Sequence, residues 1–148
     1  MKLHRFDEQF ALFIDLGLAM CRASGGSALF LMLSGPTEWD QLKRKADGMK
    51  VVVAADDPAD LAGAEEAGLL ALPLDLSEAP VIERLTQALL RGVAREILTP
   101  GDAVVVMYSG FEADALDSIS FIRLDEHLGR LTARDLRQLE TSVPLETL

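Results

Sequence analysis

The chain has 148 residues and a formal net charge of −10, and 49% of its residues are hydrophobic. This length suits one domain with a core of its own, and the acidic balance argues against nucleic-acid binding, which needs a basic face for the phosphates. No apolar run approaches the roughly 20 residues that span a membrane. With no signal-peptide core and a single cysteine, Cys21, the chain is expected to be cytoplasmic.

The first predicted element is a helix over residues 5–23, where apolar residues recur at three- and four-residue spacing. Cys21 falls on the apolar face and is interpreted as a small core residue rather than a nucleophile. The predicted inward face consists of Phe6, Phe10, Phe13, Ile14, Gly17, Met20 and Cys21.

Apolar strands and amphipathic helices then alternate along the chain, with turn residues between them. Thr37 and Asp57 are predicted to cap the second and third helices, and Pro73 favours an edge position for the third strand. In chain order, strands are predicted at 28–33, 50–55, 69–74, 103–108 and 118–124, and further helices at 37–47, 57–68, 80–98 and 132–140.

This alternation predicts an α/β fold, a three-layer α/β/α arrangement around a mainly parallel sheet. The link between the last two strands has only nine residues, 109–117. Because a parallel crossover needs about a dozen or more, the fifth strand is expected to return antiparallel beside the fourth. With the third and fifth strands at the borders, the simplest order is 3-2-1-4-5.

In that order, a candidate ligand site lies where strands 1 and 4 end side by side, since open α/β sheets bind ligands at such a switch point. The loops that meet there supply the candidate binding residues Ser34, Gly35, Thr37, Ser109 and Gly110. One interpretation is an anion cradle at a helix N-terminus, and the other is a turn followed by a helix cap. Acidic residues in the first helical turn, and no arginine expected within reach, favour the cap.

The fifth strand is predicted to be an exposed sheet edge that carries Ile119, Phe121 and Arg123. It has no lysine or proline to discourage pairing, so two chains are expected to pair these strands across a twofold axis. The alternative is that the helix at 132–140 covers the edge and keeps the chain monomeric.

No nucleophile and base, metal-ligand set or cofactor motif stands at a catalytic spacing in this sequence. We therefore predict no catalytic residues, no metal site and no cofactor.

The predicted architecture over about residues 6–125 resembles the C-terminal domain of pyruvate kinase, which has a leading helix, a 3-2-1-4-5 sheet and an antiparallel fifth strand. In that family the loop after the first strand commonly reads Ser-Gly-Arg-Thr or Ser-Gly-Arg-Ser, and in some members it holds the phosphate of an allosteric sugar bisphosphate. Ser34, Gly35 and Thr37 match this pattern, but Pro36 stands in the arginine's place. The resemblance implies a sensor of a phosphorylated metabolite, and it also implies subunit contact through the fifth strand.

Two further stretches, "VVVMYSGFEADALDSISFIRLDEHLGRLTARDLRQLE" at 104–140 and "ERLTQALL" at 83–90, resemble the N-terminal region of bacterial proteins that carry a DisA-type diadenylate cyclase downstream. The cyclase signatures Asp-Gly-Ala and Arg-His-Arg do not occur in these 148 residues. The resemblance implies a non-catalytic regulatory or interaction domain at 1–128, in cyclic di-AMP signalling, and a helical extension at 129–148 that leads into a cyclase domain. The partner is then that downstream cyclase, and the full-length protein would be a diadenylate cyclase.

Overall fold

The computed structural model describes residues 8–75, 79–111 and 115–125. The predicted helix at 132–140 therefore lies outside the described residues, as does the start of the first helix with Phe6. The described elements are α1 (Glu8–Ser24), β1 (Ala28–Met32), α2 (Trp39–Ala46), β2 (Val51–Ala55), a 3-10 turn (Pro58–Leu61), β3 (Leu70–Pro73), α3 (Val81–Ala94), β4 (Ala103–Tyr108) and β5 (Ser118–Arg123).

The five strands form one sheet of order β3-β2-β1-β4-β5. All neighbouring pairs are parallel except β4 and β5, which are antiparallel. The predicted fold class, strand order and direction of the fifth strand are thus confirmed. Pro73 lies on the border strand β3 opposite Ala55, where its missing N–H costs no ladder hydrogen bond.

The sheet is buried on both faces because its central strands are apolar at every position. Leu29 and Leu31 of β1 pack into a cluster with residues of α1 and α2. Phe30 and Met32 point the other way, into a cluster with residues of α3. The helices α1 and α2 therefore cover one face of the sheet, and α3 covers the other.

The helix α1 approaches the sheet closely at Gly17. A Cβ atom on Gly17 would lie 2.6 Å from Met107 Sδ and 3.0 Å from Leu29 Cδ1. The first distance is shorter than real Cβ contacts and the second is tight. A side chain at position 17 would have to displace Met107 and Leu29, and glycine lets the helix backbone rest on β1 and β4 without this displacement.

The predicted third helix at 57–68 is wrong. Asp57 does accept a hydrogen bond from the Ala59 N–H at 3.0 Å, but only a 3-10 turn follows it. Trp39 Nε1 donates to Ala62 O at 2.8 Å, and Gly63 adopts φ +90°, which is outside the helical region. A side chain from α2 thus takes a carbonyl that a continuing helix would need.

Two further helix ends differ from the prediction. The helix α2 begins at Trp39, and its N-cap residue is Glu38, which makes no side-chain cap hydrogen bond. Thr37 lies before the helix as an extended, buried residue. Its predicted role as the cap is therefore wrong.

The helix α3 ends at Ala94 rather than at residue 98, because Glu96 adopts φ +61°. The chain then turns back, and the N–H of Leu98 donates to Gly92 O at 3.0 Å.

The inward face of α1 is confirmed at Phe10, Ile14, Gly17 and Cys21, which are buried. Phe13 packs partly buried against the same cluster. Met20 was expected to face inward and does not, since 40% of its surface is exposed. Among the described residues of the predicted inward face, Met20 therefore lies on the outside of the helix.

Replacing Gly17 by leucine should lower the free energy of unfolding by about 1–3 kcal/mol, because the added carbons have no room between α1 and the sheet. Urea unfolding followed by circular dichroism measures this change. The matched control is Ala94→Leu at the exposed end of α3, which should stay within about 0.5 kcal/mol of the wild type. Equal stability of the two variants would show that α1 does not pack this closely.

Candidate functional site

The carboxyl ends of β1 and β4 lie side by side, because Leu31 pairs with Met107 in parallel register. The loops that follow these strands bring Ser34 and Ser109 to one cleft, as the strand order predicts. The cleft is small, with about 30 Å³ of free volume, which is room for about one or two water-sized groups. A ligand would therefore place only a single small group, such as a phosphate oxygen, inside it. Its lining residues are Met32, Leu33, Ser34, Val81, Arg84, Leu85, Tyr108 and Ser109.

Among the described residues that line the cleft, Arg84 is the only charged one. Its Nη2 atom lies 2.7 Å from Asp56 Oδ2, and about three-quarters of each of the two side chains is buried. The Nε atom of Arg84 is buried and has no hydrogen-bond partner within the part of the chain that the structure describes. A buried donor without a partner costs free energy, so an added acceptor near this guanidinium would be stabilising.

The expectation that no arginine lies within reach of the Ser34 loop is therefore wrong. Arg84 stands far along the chain, in the first turn of α3. The helix α3 runs from the border strand β3 to β4, so it crosses one face of the sheet and begins at the edge where the parallel strands end. The path of α3 in the predicted sheet order, and not a local motif, could have identified Arg84 as a cleft residue.

The loop between β4 and β5 is closed by its own carboxylate. Asp117 Oδ1 accepts the N–H of Gly110 at 2.7 Å and the Ser118 hydroxyl at 3.0 Å, and Asp117 Oδ2 accepts the N–H of Phe111 at 3.0 Å. The Ser109 hydroxyl donates to Ala115 O at 2.6 Å. The amides of Gly110 and Phe111 thus already bind the carboxylate of Asp117, so Gly110 is not a free donor to a ligand.

The loop after β1 contributes only one of its three predicted residues to the cleft. Ser34 is exposed and lines it, whereas Gly35 and Thr37 are buried. Because α2 begins two residues after Thr37, the predicted Ser-Gly-Pro-Thr stretch forms a turn before the helix. Of the five predicted binding residues, the structure brings Ser34 and Ser109 to the cleft and leaves the other three outside it.

Tyr108 connects the cleft to the edge of the sheet. It lines the cleft, and its hydroxyl oxygen lies 3.0 Å from Ser120 Oγ on β5, within hydrogen-bond distance. Tyr108 therefore contacts both the cleft and the last strand of the sheet.

The predicted dimer-edge residues lie on the border strand β5. Ile119 is partly buried against the cluster under α1, 37% of the Phe121 surface is exposed, and Arg123 is exposed. These alternate residues share one face of the strand. Pairing of two such edges stays a prediction.

Cys21 is buried, and its Sγ donates to Ala28 O at 3.3 Å. Burial raises the pKa of this thiol above its ordinary value, which keeps it protonated and unreactive near neutral pH. Among the described residues there is no cluster of three or more potential metal ligands. No helix in the described ranges has the length and apolar character needed to cross a membrane.

The strand order and the switch-point cleft define an α/β domain of the pyruvate kinase C-terminal type. A solved pyruvate kinase from Cryptosporidium parvum is similar to 77% of this chain with a TM-score of 0.58, at 9% identity. The similar part makes up 22% of that enzyme's chain, so the likeness shows the fold alone.

The chain belongs to the family described as "Probable sensor domain DacZ_P", whose sequence model matches residues 9–132. This membership supports the resemblance to proteins that carry a DisA-type cyclase. No curated protein matches the chain.

Replacing Asp117 by alanine should lower the free energy of unfolding by about 1.5–3 kcal/mol, because its carboxylate accepts three hydrogen bonds in the β4–β5 loop. Urea unfolding measures this loss. The control is Asp102→Ala in the turn at the other end of β4, where the carboxylate accepts one backbone N–H, from Thr99 at 2.9 Å. An Asp117 variant no less stable than the Asp102 variant would mean that the loop does not depend on its carboxylate.

Proposed function

We propose that this domain is a non-catalytic sensor that binds a small anionic molecule in the switch-point cleft and regulates a diadenylate cyclase domain that follows it in the full-length protein. The observation that carries the proposal is the buried Nε of Arg84, which has no partner among the described residues and belongs to a side chain that lines the cleft beside Ser34 and Ser109. The family description, a sensor domain, supports the same role.

The chemistry of the cleft favours an oxyanion such as a phosphate group. The planar guanidinium of Arg84 offers five N–H donors, of which the bond to Asp56 uses one. Ser34 and Ser109 line the same cleft, but the one hydroxyl proton of Ser109 is donated to Ala115 O. Arg84 is therefore the donor on which an oxyanion depends, and a hydrogen bond to a charged donor is stronger than one between neutral groups. The ligand class is a phosphorylated metabolite held by Arg84, with Ser34 and Ser109 beside it.

In the absence of a ligand, Asp56 is the ion-pair partner of Arg84. Its carboxylate, 2.7 Å from Arg84, holds the guanidinium in place and partly neutralises it while no ligand is bound. An incoming oxyanion adds to this pair or displaces it, and either event changes how α3 is held to the end of β2. A ligand stabilises the arrangement that it binds best, which is the basis of sensing.

The signal would leave the domain through β5. Tyr108 lines the cleft and lies beside Ser120 of β5, and the chain continues from β5 into residues 126–148. On this proposal, residues 1–128 are the sensor and residues 129–148 connect it to the cyclase, which supplies the chemistry of cyclic di-AMP signalling. The downstream cyclase domain is then the principal partner.

Arg84→Gln should abolish the stabilisation of this domain by phosphorylated compounds. The probes are orthophosphate, glucose 6-phosphate and phosphoenolpyruvate, at matched ionic strength, and the measurement is the thermal midpoint by scanning fluorimetry. At ten times Kd, a ligand adds about 1.4 kcal/mol, which raises the midpoint by roughly 3–6 °C for a domain of this size.

The control is Arg91→Gln on the same helix, where Arg91 donates to Pro73 O at 3.3 Å and does not line the cleft. It should keep the ligand-induced shift of the wild type. A shift that survives in Arg84→Gln would place binding elsewhere, and no shift with any of the three probes in the wild type would contradict a phosphate-sensing role.

A further inference from the structure

The two most exposed large apolar side chains in the described part of the chain are Phe111 and Ile82, which are 92% and 69% exposed. Both lie at the edge of the sheet where the parallel strands end, since Phe111 follows β4 and Ile82 is in the first turn of α3. Residues of these same two segments line the switch-point cleft. Single exposed apolar residues are common on protein surfaces, but a group of them beside a cleft is typical of a binding groove.

Phe111 lies beside the mouth of the cleft because the start of its loop packs on Tyr108. A Cβ atom at Gly110 would lie 3.4 Å from Tyr108 Cε2, and both Tyr108 and Ser109 line the cleft. Since consecutive Cα atoms are about 3.8 Å apart, the Cα of Phe111 lies at most about 7.6 Å from that of Ser109. The N–H of Phe111 is held by Asp117 Oδ2 at 3.0 Å, while its ring extends into solvent.

Ile82 lies on the side of α3 that faces the end of β4. Arg84 and Arg91 mark the other side of the helix, because they bond to Asp56 after β2 and to Pro73 on β3. At about 100° per residue, Ile82 is about 160° around the helix from Arg84. In the order β3-β2-β1-β4-β5, that side points towards β4. Ile82 therefore flanks the cleft from α3, as Phe111 does from the loop after β4.

Most of any ligand must lie outside the cleft, because its free volume is only about 30 Å³. An oxygen of a phosphate group that enters the cleft to reach Arg84 leaves the rest of its molecule across the mouth. The side chains of Phe111 and Ile82 have no hydrogen-bond donor or acceptor, so they offer nothing to a sugar hydroxyl. A planar ring, in contrast, can pack on both of them, and aromatic pairs contribute more than their buried area alone.

We propose that the ligand of this site is a phosphate ester that carries a planar aromatic ring, and that Phe111 and Ile82 select it. The inference rests on the proposed function, because it assigns the part of the ligand that lies outside the cleft while Arg84 holds the phosphate. Phe111 and Ile82 are then specificity-determining residues, which favour an aryl ester over an aliphatic one. The phosphate contact is the same for both kinds of ester.

Isothermal titration calorimetry of the full 148-residue chain tests this selection. The probes are orthophosphate, ethyl phosphate, phenyl phosphate and naphthyl phosphate, at matched ionic strength and at a pH where all are dianions. We expect the tighter-binding aryl ester to have a Kd roughly tenfold below that of ethyl phosphate, since its ring packs against Phe111.

Phe111→Ala should remove most of this advantage, and Ile82→Ala should remove part of it. Both should leave the Kd of orthophosphate unchanged, because neither side chain is buried in the core. The matched control is Leu12→Ala, which truncates a 59% exposed residue of α1, on the other face of the sheet, and should change none of the four affinities. Circular dichroism establishes that every variant is folded.

The outcomes separate this inference from the proposed function. If orthophosphate binds and loses its affinity in Arg84→Gln, but neither aryl ester binds more tightly than ethyl phosphate, the sensor remains and the aromatic selection is overturned. An aryl advantage that persists in both Phe111→Ala and Ile82→Ala would also overturn it, because the ring would then lie elsewhere. Failure of all four compounds to bind the wild type would contradict the proposed function and this inference together.

Discussion

The parallel pairing of β1 with β4 at the centre of the sheet is the constraint on which the rest of the structure depends. Two apolar strands side by side must be covered on both faces, which requires α1 to come close at Gly17 and α3 to cross the opposite face. The same pairing ends both strands at one place, so the loops with Ser34 and Ser109 meet. The site is a consequence of how the core is built.

At the switch-point cleft, two carboxylates of the protein already accept hydrogen bonds from groups that could bind an anion. Asp117 takes the amides of the β4–β5 loop, and Asp56 pairs with Arg84. The loop after β1 carries Pro36 and no arginine, and the cationic side chain that lines the cleft, Arg84, comes from α3. Because the amides of Gly110 and Phe111 are committed to Asp117, the proposed site relies on Arg84 to recognise an anion.

The order and directions of the strands could be predicted from the sequence because they depend on the lengths of the connections between strands. The nine-residue link 109–117 could not carry a parallel crossover, and this fixed the direction of β5 and the order of the sheet. Local patterns failed where a distant side chain intervened, as when Trp39 takes the carbonyl of Ala62 and prevents the predicted third helix. Arg84 was missed because it reaches the cleft only through the path of α3. Periodicity did identify the covered face of α1, with Met20 as the described residue that departs from it.

The most direct test of anion recognition is an NMR titration of the ¹⁵N-labelled chain with orthophosphate, observing the arginine Nε–Hε resonances and assigning that of Arg84 by its loss in Arg84→Gln. If the cleft recognises an oxyanion through this group, the Arg84 resonance shifts in a saturable way, together with the backbone amides of Ser34 and Ser109. Saturable shifts confined to other regions, with the Arg84 Nε–Hε signal unmoved, would contradict it.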